Sequence, residues 1–549
     1  MNHVIQRGIC IALFCFTFQA FLFGQEDSVA IEVPETVFYI KKIDFDIKGQ
    51  TRPFALLFNG ELKEGDEITG NNNLQAYIER RTQLLINQRS LASVSIEHFI
   101  GEPDADGRVP VNLLLHTVDT WNIIALPRPQ YDSNNGLDIA IKARDYNFLG
   151  TMSPLRIDLG YQYNNQDESK PAYEKHSFNL LIDSDIPFQA FDLQWNLNFD
   201  NELAFTQDEP LTYKNTTGIS LNVPWKTTTF TFGFEHGVIL NELNSDESRE
   251  KYNLDSDSDY MYSKLYTRWT IPTGLTIPAL GTLTYTPGLE GLSNYRIGGI
   301  DEMRRGPNLA FIHSLGIGRI DWVKDENFRK GASFSISNSY TYNFKYLYSK
   351  KPELNLETDD PVPLNETGST AELEPHRDMG WSGSLSFTAS AFLYFSKLFS
   401  ISGRFRYQQW FFNDAHTTQA GDVLRGVVDR HISADTMFSL NLDFPFRLIR
   451  FTPSEWSSKM KVFDLEMHVS PIVDMALAKD STNTGADNKT GHDFQWYLTG
   501  GMEVIVFPLS WRSFYLRVST GFDLRNIIEM KELSKWYGDE LFIGIGHFY

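Results

Sequence analysis

One arginine and three acidic residues in the last third of the chain are spaced so that they could form strong ion pairs. Arg425 lies in a loop, within Leu424-Arg425-Gly426, that joins two segments of alternating apolar and polar residues. Asp443, Glu466 and Asp474 share the polar parity of the segments that follow the arginine. Because a guanidinium binds carboxylates through two parallel hydrogen bonds, we expect Arg425 to contact at least one of the three acids, with Glu466 and Asp474 favoured over Asp443.

Catalytic and metal-binding motifs are missing from the sequence. No H-E-x-x-H, G-x-S-x-G or P-loop pattern is present. Asp255, Asp257 and Asp259 alternate as in a calcium loop, but Tyr260 stands where the turn glycine is needed. We therefore expect no enzyme, no cofactor and no metal site.

Composition argues against a nucleic-acid partner and favours a membrane barrel. The 549 residues carry a net charge of −21, so a basic patch could not dominate the surface. After residue 24 there is no apolar stretch of about 18 residues, so no transmembrane helix is predicted. Aromatic residues still make up 14% of the chain, as expected where lipid-facing and lumen-facing side chains alternate.

Residues 121–549 read as repeated strands of about 10 to 14 residues, which is long enough for a tilted crossing of the bilayer. In 399–407, for example, Phe399, Ile401 and Phe405 share one face and Arg404 and Arg406 share the other. Long polar stretches at 241–259, 350–376 and 477–493 predict outer loops. The pattern predicts an antiparallel transmembrane β-barrel with a polar lumen.

Residues 38–120 predict a separate small α+β domain. Leu74, Ile78, Leu84 and Leu85 cluster on one face of a helix over 72–87, with Tyr77 beside them. A strand at 38–48 and a short helix from Pro53 precede it. Strands at 91–100 and 109–118 close the unit, which gives the order β-α-α-β-β.

The first 24 residues predict a secretory signal peptide, and residues 25–37 a linker. Arg7 precedes an apolar run over 9–23, and Gly24 offers a small residue before the chain turns polar. Cys10 and Cys15, the two cysteines of the sequence, both lie in this segment. The mature chain would therefore have no disulfide.

This order of parts resembles the BamA/TamA superfamily of outer-membrane assembly factors, with a POTRA-like domain before a bacterial surface antigen barrel. Four local motifs carry the resemblance. The D-x-N-x-x-G turn between the second and third barrel strands is matched by Asp145-Tyr146-Asn147-Phe148-Leu149-Gly150, and a mid-barrel hairpin resembles residues 321–331. The V-R-G-F/Y signature of the family resembles Leu424-Arg425-Gly426-Val427. The strands that follow this signature resemble residues 441–445 and 470–474.

The resemblance implies a bacterial outer-membrane location with the N-terminal domain in the periplasm. It also implies that the loop bearing Arg425 folds into the lumen and that the arginine pairs with acidic wall residues. The chain shows about eighteen candidate strands after Trp121, whereas the family has sixteen. We expect about sixteen, with two candidates between Tyr260 and Ile297 forming loop structure; the alternative is a larger barrel.

Two classes of function fit these features. The first is assembly, insertion or translocation of outer-membrane proteins, with unfolded clients, the lipid bilayer and accessory periplasmic proteins as partners. The alternative is a transport pore, either a two-partner-secretion transporter or a passive porin-like channel. A secretion transporter would be expected to carry two POTRA modules, and a porin would have no use for one.

A weak barrel seam is expected where the first strand meets the last. Pro127 and Pro129 have the same parity, so one side of the first strand lacks two backbone donors. The last strand has Leu541, Ile543, Ile545 and Tyr549 on one parity. A client strand could insert at such a seam; the alternative is that the two prolines simply end the first strand early.

Export gives the first prediction. The mature protein should begin near Gln25 and fractionate with outer membranes, because the signal peptide is removed on secretion. N-terminal sequencing of the purified protein checks this. Retention of Met1, or recovery of the protein from the cytosol, would show that the predicted export is wrong.

Overall fold

The chain has two parts, a small N-terminal α+β domain and a closed β-barrel. The structure, a computed structural model, describes residues 35–132, 136–164, 175–206, 211–241, 259–295, 307–343, 346–350, 373–377, 381–411, 416–419, 423–425, 431–479, 494–513, 515–524 and 540–545. Within these ranges no helix has both the length and the apolar character needed to span a membrane.

The small domain is a four-stranded sheet with two helices. Its elements are β1 (Val37–Lys48), α1 (Pro53–Asn59), β2 (Glu67–Thr69), α2 (Asn71–Asn87), β3 (Leu91–Ile100) and β4 (Val109–Asp119). The sheet order is β2-β1-β4-β3, in which β1 and β4 are parallel and the other pairs antiparallel. The predicted order is found, with the three-residue strand β2 added between the helices.

The helices cover one face of this sheet because apolar residues recur with the matching period. Strand β4 alternates strictly, so that Val111, Leu113 and Leu115 are buried while the residues between them face outward. Leu56 of α1 and Leu85 of α2 pack into the same core. Burial of each such leucine contributes roughly 1.5–3 kcal/mol.

The barrel strands follow in chain order. They are β5 (Ile123–Asp132), β6 (Gly136–Asp145), β7 (Leu155–Asn164), β8 (Lys175–Ala190), β9 (Leu193–Thr206), β10 (Thr212–Trp225), β11 (Thr228–Leu240), β12 (Tyr260–Ile277), β13 (Gly281–Tyr295), β14 (Asn308–Trp322), β15 (Arg329–Asn343), β18 (Trp381–Ser396), β19 (Phe399–Phe411), β22 (Thr436–Asp443), β23 (Phe446–Phe451), β24 (Leu465–Lys479), β25 (Gln495–Pro508), β26 (Leu516–Asp523) and β27 (Glu540–Ile545). Two small hairpins, β16 (Tyr346–Lys350) with β17 (Leu373–Arg377) and β20 (His416–Gln419) with β21 (His431–Ala434), complete the described strands.

The predicted fold class is confirmed, but the expected count of sixteen strands is wrong. Strands β22 and β23 share one position, since both pair with β19 and β24, so the described barrel has eighteen positions. The two candidates that we expected to be loop structure are β12 and β13, which pair antiparallel along most of their length. Pro445 lies at the break between β22 and β23, where its missing backbone N–H ends the ladder.

The two faces of the barrel wall differ in polarity. Leu265, Leu289 and Leu309 are exposed on the outer face, at 65%, 58% and 55%. Polar residues such as Ser470 and Asp474 are buried on the inner face. A bilayer covers such an apolar outer band, so we treat the strands as membrane-spanning. The predicted long loops lie mostly outside the described residues.

The core of the small domain gives the second prediction. Leu115→Ala should destabilise the domain by about 2–5 kcal/mol, because it leaves a cavity among buried side chains. Leu114→Ala, one residue away on the half-buried opposite face, is the matched control and should cost less. Hydrogen exchange of β1 and β4 peptides in the intact protein measures the difference. Equal protection in both variants would contradict the assigned core.

Candidate functional site

Arg425 lies inside the barrel and binds two acidic residues of the wall. Its Nε and Nη2 donate to the two carboxylate oxygens of Asp474 at 2.9 and 2.7 Å, and its backbone N–H donates to the same carboxylate at 2.8 Å. Its Nη1 donates to Asp443 Oδ1 at 2.5 Å. Only 2% of the Arg425 side chain is exposed. The guanidinium therefore holds one acid through both oxygens and a second through one.

The alternation of two neighbouring strands positions these acids. On β24 the residues Glu466, His468, Ser470 and Asp474 are all buried, while Leu465 and Met467 take the outer parity. Strand β22 runs antiparallel beside β24, and Asn441 is the register partner of Asp474. The side-chain Nδ2 of Asn441 donates to the carbonyl of Val423 at 2.8 Å. The wall thus binds the backbone of the loop as well as its arginine.

Small wall residues make room for the loop in front of them. Val423 and Leu424 are buried against Ala476, Ala478 and Met437. An alanine at each of the two β24 positions leaves space that larger side chains would fill. The structure thus places residues 423–425 in the lumen, whereas Gly426 lies outside the described residues.

Glu466 does not contact Arg425, which corrects the expectation drawn from its parity. It lies eight positions before Asp474 on β24, about 26 Å along the strand. There its carboxylate is 3.5 Å from Arg447 Nη1 and 3.6 Å from Arg450 Nη1, and its Oε1 is 2.7 Å from His468 Nε2. Parity fixes which face a side chain takes, and it leaves the depth of the side chain in the barrel open.

Two further charged residues, missed by the sequence reasoning, complete the Arg425 cluster. Glu503 on β25 is buried, and its Oε2 is 3.9 Å from Arg425 Nη1 and 3.2 Å from Arg517 Nη1. Glu503 is the register partner of Ser470, an inward residue of β24. The signal that could have revealed it is an acid within the otherwise apolar run at 502–508. Two arginines thus face three carboxylates.

The Asp145–Gly150 turn fastens the small domain to the barrel. Asn147 is buried and donates from Nδ2 to Thr51 Oγ1 at 2.8 Å and to Asp119 Oδ2 at 3.2 Å. Thr51 Oγ1 in turn donates to Asp119 Oδ1 at 2.6 Å. The carbonyl of Gly150 accepts from the backbone N–H of Arg52 at 2.9 Å. Gly150 has a φ of 74°, and a Cβ there would lie 2.1 Å from Gln50 O, so the joint requires glycine.

Arg89 forms a second attachment, next to the end of α2. Its guanidinium lies 4.2 Å from the ring centre of Trp322 on β14, within cation–π distance. Its Nε donates to the carbonyl of Arg512 in the turn between β25 and β26. Burial lowers the pKa of Arg89 to about 10, so the side chain still carries its charge at neutral pH. The small domain is therefore attached to the short-turn end of the barrel at several points.

The seam is formed by the strands from the two ends of the barrel sequence. Strand β27 lies next to β5 in the closed barrel. Pro127 and Pro129 pair with Ile141 and Ile139 of β6, and β5 continues to Asp132. The alternative that these prolines end the strand early is therefore wrong.

On the other side of the seam, the described residues of β27 are Glu540–Ile545. Leu541, Ile543 and Ile545 pair with Thr520, Val518 and Leu516 of β26. Tyr549 lies outside the described residues, as do Asp255 and Asp257. Within the described ranges no group of three or more His, Cys, Asp or Glu side chains could hold a metal ion.

A closed barrel with an apolar outer face, a polar lumen and an α+β domain at its short-turn end defines a membrane β-barrel protein. No protein-family profile matches the chain, and no curated protein matches it. Among solved structures, it is similar to BamA from Haemophilus ducreyi lacking POTRA domains 1–3, at 13% identity over 92% of this chain and 84% of that one, with a TM-score of 0.34. It is also similar to CdiB from Acinetobacter baumannii (12% identity, 88% and 70% covered, TM-score 0.42) and to CdiB from Escherichia coli (9%, 95% and 92%, TM-score 0.36).

The Arg425 cluster gives the third prediction. Arg425→Ala leaves the buried carboxylate of Asp474 and the partly buried carboxylate of Asp443 without their main cation, which should destabilise the folded barrel by about 3–5 kcal/mol. Arg425→Lys should restore part of the loss, because an ammonium lacks the two-pronged geometry. Heat-modifiable gel migration and the melting temperature are the measurements.

Arg156→Ala is the matched control for this prediction. Arg156 pairs with Asp183 at 3.3 Å, but 53% of its side chain is exposed. The loss should therefore be only about 0–1 kcal/mol. Equal effects of Arg425→Ala and Arg156→Ala would show that the lumen cluster has no special role in stability.

Proposed function

We propose that this protein acts in the assembly, insertion or translocation of outer-membrane proteins, with its small domain in the periplasm. The observation that carries the proposal is the combination, in one chain, of a sheet edge with a barrel seam whose first strand contains two prolines. The sheet edge would capture an unfolded client, and the seam would receive it. Function is thus inferred from what the two strand edges can bind.

The outer edge of β3 is the first of these two features. Strand β3 ends the sheet order β2-β1-β4-β3, and in the described part of the domain it pairs only with β4. An edge strand carries a row of backbone N–H and C=O groups that an extended peptide can pair with. Phe99 and Ile100, at the end of β3, are both 54% exposed and offer apolar contacts to such a peptide.

The seam between β5 and β27 is the second feature. Pro127 and Pro129 each lack a backbone N–H, and both would have donated toward the same side of β5. Strand β27 lies opposite β5 at this point of the ring. A pairing with fewer hydrogen bonds opens at lower cost, and a client strand could then pair with the freed edges.

The energy for insertion would come from the client itself. Backbone groups in hydrocarbon must all be paired, so a strand that joins a closed barrel in the bilayer gains hydrogen bonds that water no longer supplies. A passive channel is a poorer fit, because the residues 423–425 lie in the lumen and are fixed there by Asp474 and Asn441.

Depletion with complementation gives the fourth prediction. Depletion should lower the amounts of many outer-membrane barrels, and the wild-type chain should restore them. A chain locked across the seam, with Ala125→Cys combined in turn with Ile543→Cys and Ile545→Cys, should restore them only after reduction. Quantitative proteomics of outer membranes is the measurement.

A cross-link away from the seam is the control. Ile139→Cys with Tyr161→Cys joins β6 to β7 at register partners and should leave function intact. Loss of a single secreted product would favour the secretion transporter instead. Normal outer-membrane content after depletion, or full activity of the locked seam, would refute the proposed function.

A further inference from the structure

The turn between β14 and β15, residues 323–328, reaches through the lumen to strand β24 and is called the hairpin tip. The ring of Phe328 stacks on the ring of His468 at a centroid distance of 4.5 Å. His468 is buried on the inner face of β24, and Phe328 is only 2% exposed. The hairpin tip therefore ends inside the lumen.

The barrel order shows that this contact crosses the lumen. Strands β15 and β24 are separated by β18, β19 and the position shared by β22 and β23. Four strand spacings amount to about 19 Å along the wall, more than four times the distance between the two rings. Trp322, at the root of the tip, is likewise 6.5 Å from Phe507 of β25, which is six positions away.

Ion pairs hold the hairpin tip in this position. Glu326 accepts a hydrogen bond from Arg447 Nη1 at 2.5 Å, and the same nitrogen is 3.5 Å from Glu466 Oε2. Arg450 Nη1 donates to the carbonyl of Asp325 at 3.2 Å. One cation thus sits between a carboxylate of the tip and a carboxylate of the wall. Both carboxylates are largely shielded from water, and Arg447 is the cation that they share.

Helix α2 of the small domain holds the root of the same hairpin. Asn87 donates from Nδ2 to Asp321 Oδ1 at 3.0 Å and accepts from the backbone N–H of Trp322 at 3.0 Å. Gln83 donates to the Trp322 carbonyl at 3.0 Å, and Arg80 pairs with Asp321 at 3.0 Å. Side chains three, four and seven positions apart lie on one helical face. A single face of α2 therefore binds the carboxylate of Asp321 and both the backbone N–H and the carbonyl of Trp322.

We propose that the hairpin tip is a plug for the short-turn end of the lumen and that α2 positions it. Any displacement of the small domain would pull on Asp321 and Trp322 and strain the contacts of Glu326 and Phe328. The position of the small domain then sets whether this end of the lumen conducts. Asn87 is a positioning residue in this arrangement, because it acts through the hairpin.

Planar-bilayer recordings of the purified full chain test the plug. Glu326→Gln with Phe328→Ala should raise the time spent in conducting states about tenfold or more, the equivalent of about 1.4 kcal/mol. Lys324→Gln, on the same turn but outside the contacts above, is the matched control and should behave as wild type. Heat-modifiable gel migration establishes that each variant is folded.

A reversible lock makes the test independent of variant stability. Phe328→Cys with His468→Cys can be joined by a short thiol cross-linker. The two native cysteines, Cys10 and Cys15, lie in the predicted signal peptide, so the mature chain would offer no competing thiol. Joining should suppress conductance, and release should restore it in the same molecules. Unchanged conductance in the Glu326→Gln, Phe328→Ala variant, or no response of the cysteine variant to the cross-link, would overturn the proposal that the hairpin tip is a plug.

The role of α2 has its own pair of variants. Asn87→Ala should raise conductance in the same direction as the plug variants, whereas Asn73→Ala in the first turn of the same helix should not. If both asparagine variants conduct like wild type while the plug variants open, the positioning by α2 is refuted. The conductance measurements need no client protein, so their outcome is independent of whether the proposed assembly function is correct.

Discussion

The fold depends on one constraint, that every backbone N–H and C=O within the hydrocarbon must find a partner in the protein. In the part of the chain that the structure describes, eighteen strand positions close into a ring, so that β27 returns to β5. Closure gives each strand one face to lipid and one to the interior, and the alternation of the sequence follows from that. A wall built in this way encloses polar side chains, and these in turn need partners.

The interior meets this second need with charge pairing at two depths. Near the middle of the wall, Arg425 and Arg517 face Asp443, Asp474 and Glu503. At the short-turn end, Arg447 lies between Glu326 and Glu466. In both places the cation and the carboxylates come from different segments of the chain. Each cluster therefore ties an inward-folded segment, a loop or a hairpin tip, to the wall behind it.

The sequence predicted the features that repeat along the chain, but it could not predict contacts that depend on where two residues lie in three dimensions. The alternation of apolar and polar residues predicted the barrel, and the helical period predicted α2 and its buried face. Parity correctly assigned Asp474 and Glu466 to one face, but their spacing of eight positions separates the two acids by about 26 Å along β24. The strands β12 and β13 were expected as loop because the family has sixteen strands, although their own residues alternate. The contacts between α2 and Asp321 join positions more than 200 residues apart, and one sequence carries no signal of such a pairing.

The position of the seam also determines the order in which the parts of the chain fold. Every strand pairing of the small domain is made within residues 37–119, so its loops are short and it can fold early. The pairing of β5 with β27 joins the two ends of the barrel sequence, and the entropy of closing a loop grows with its length. The ring can shut only after β27 has been delivered, when seventeen positions already stand. The pairing that includes the two-proline strand is thus also the last to form, and a nascent barrel waits longest with these two edges free.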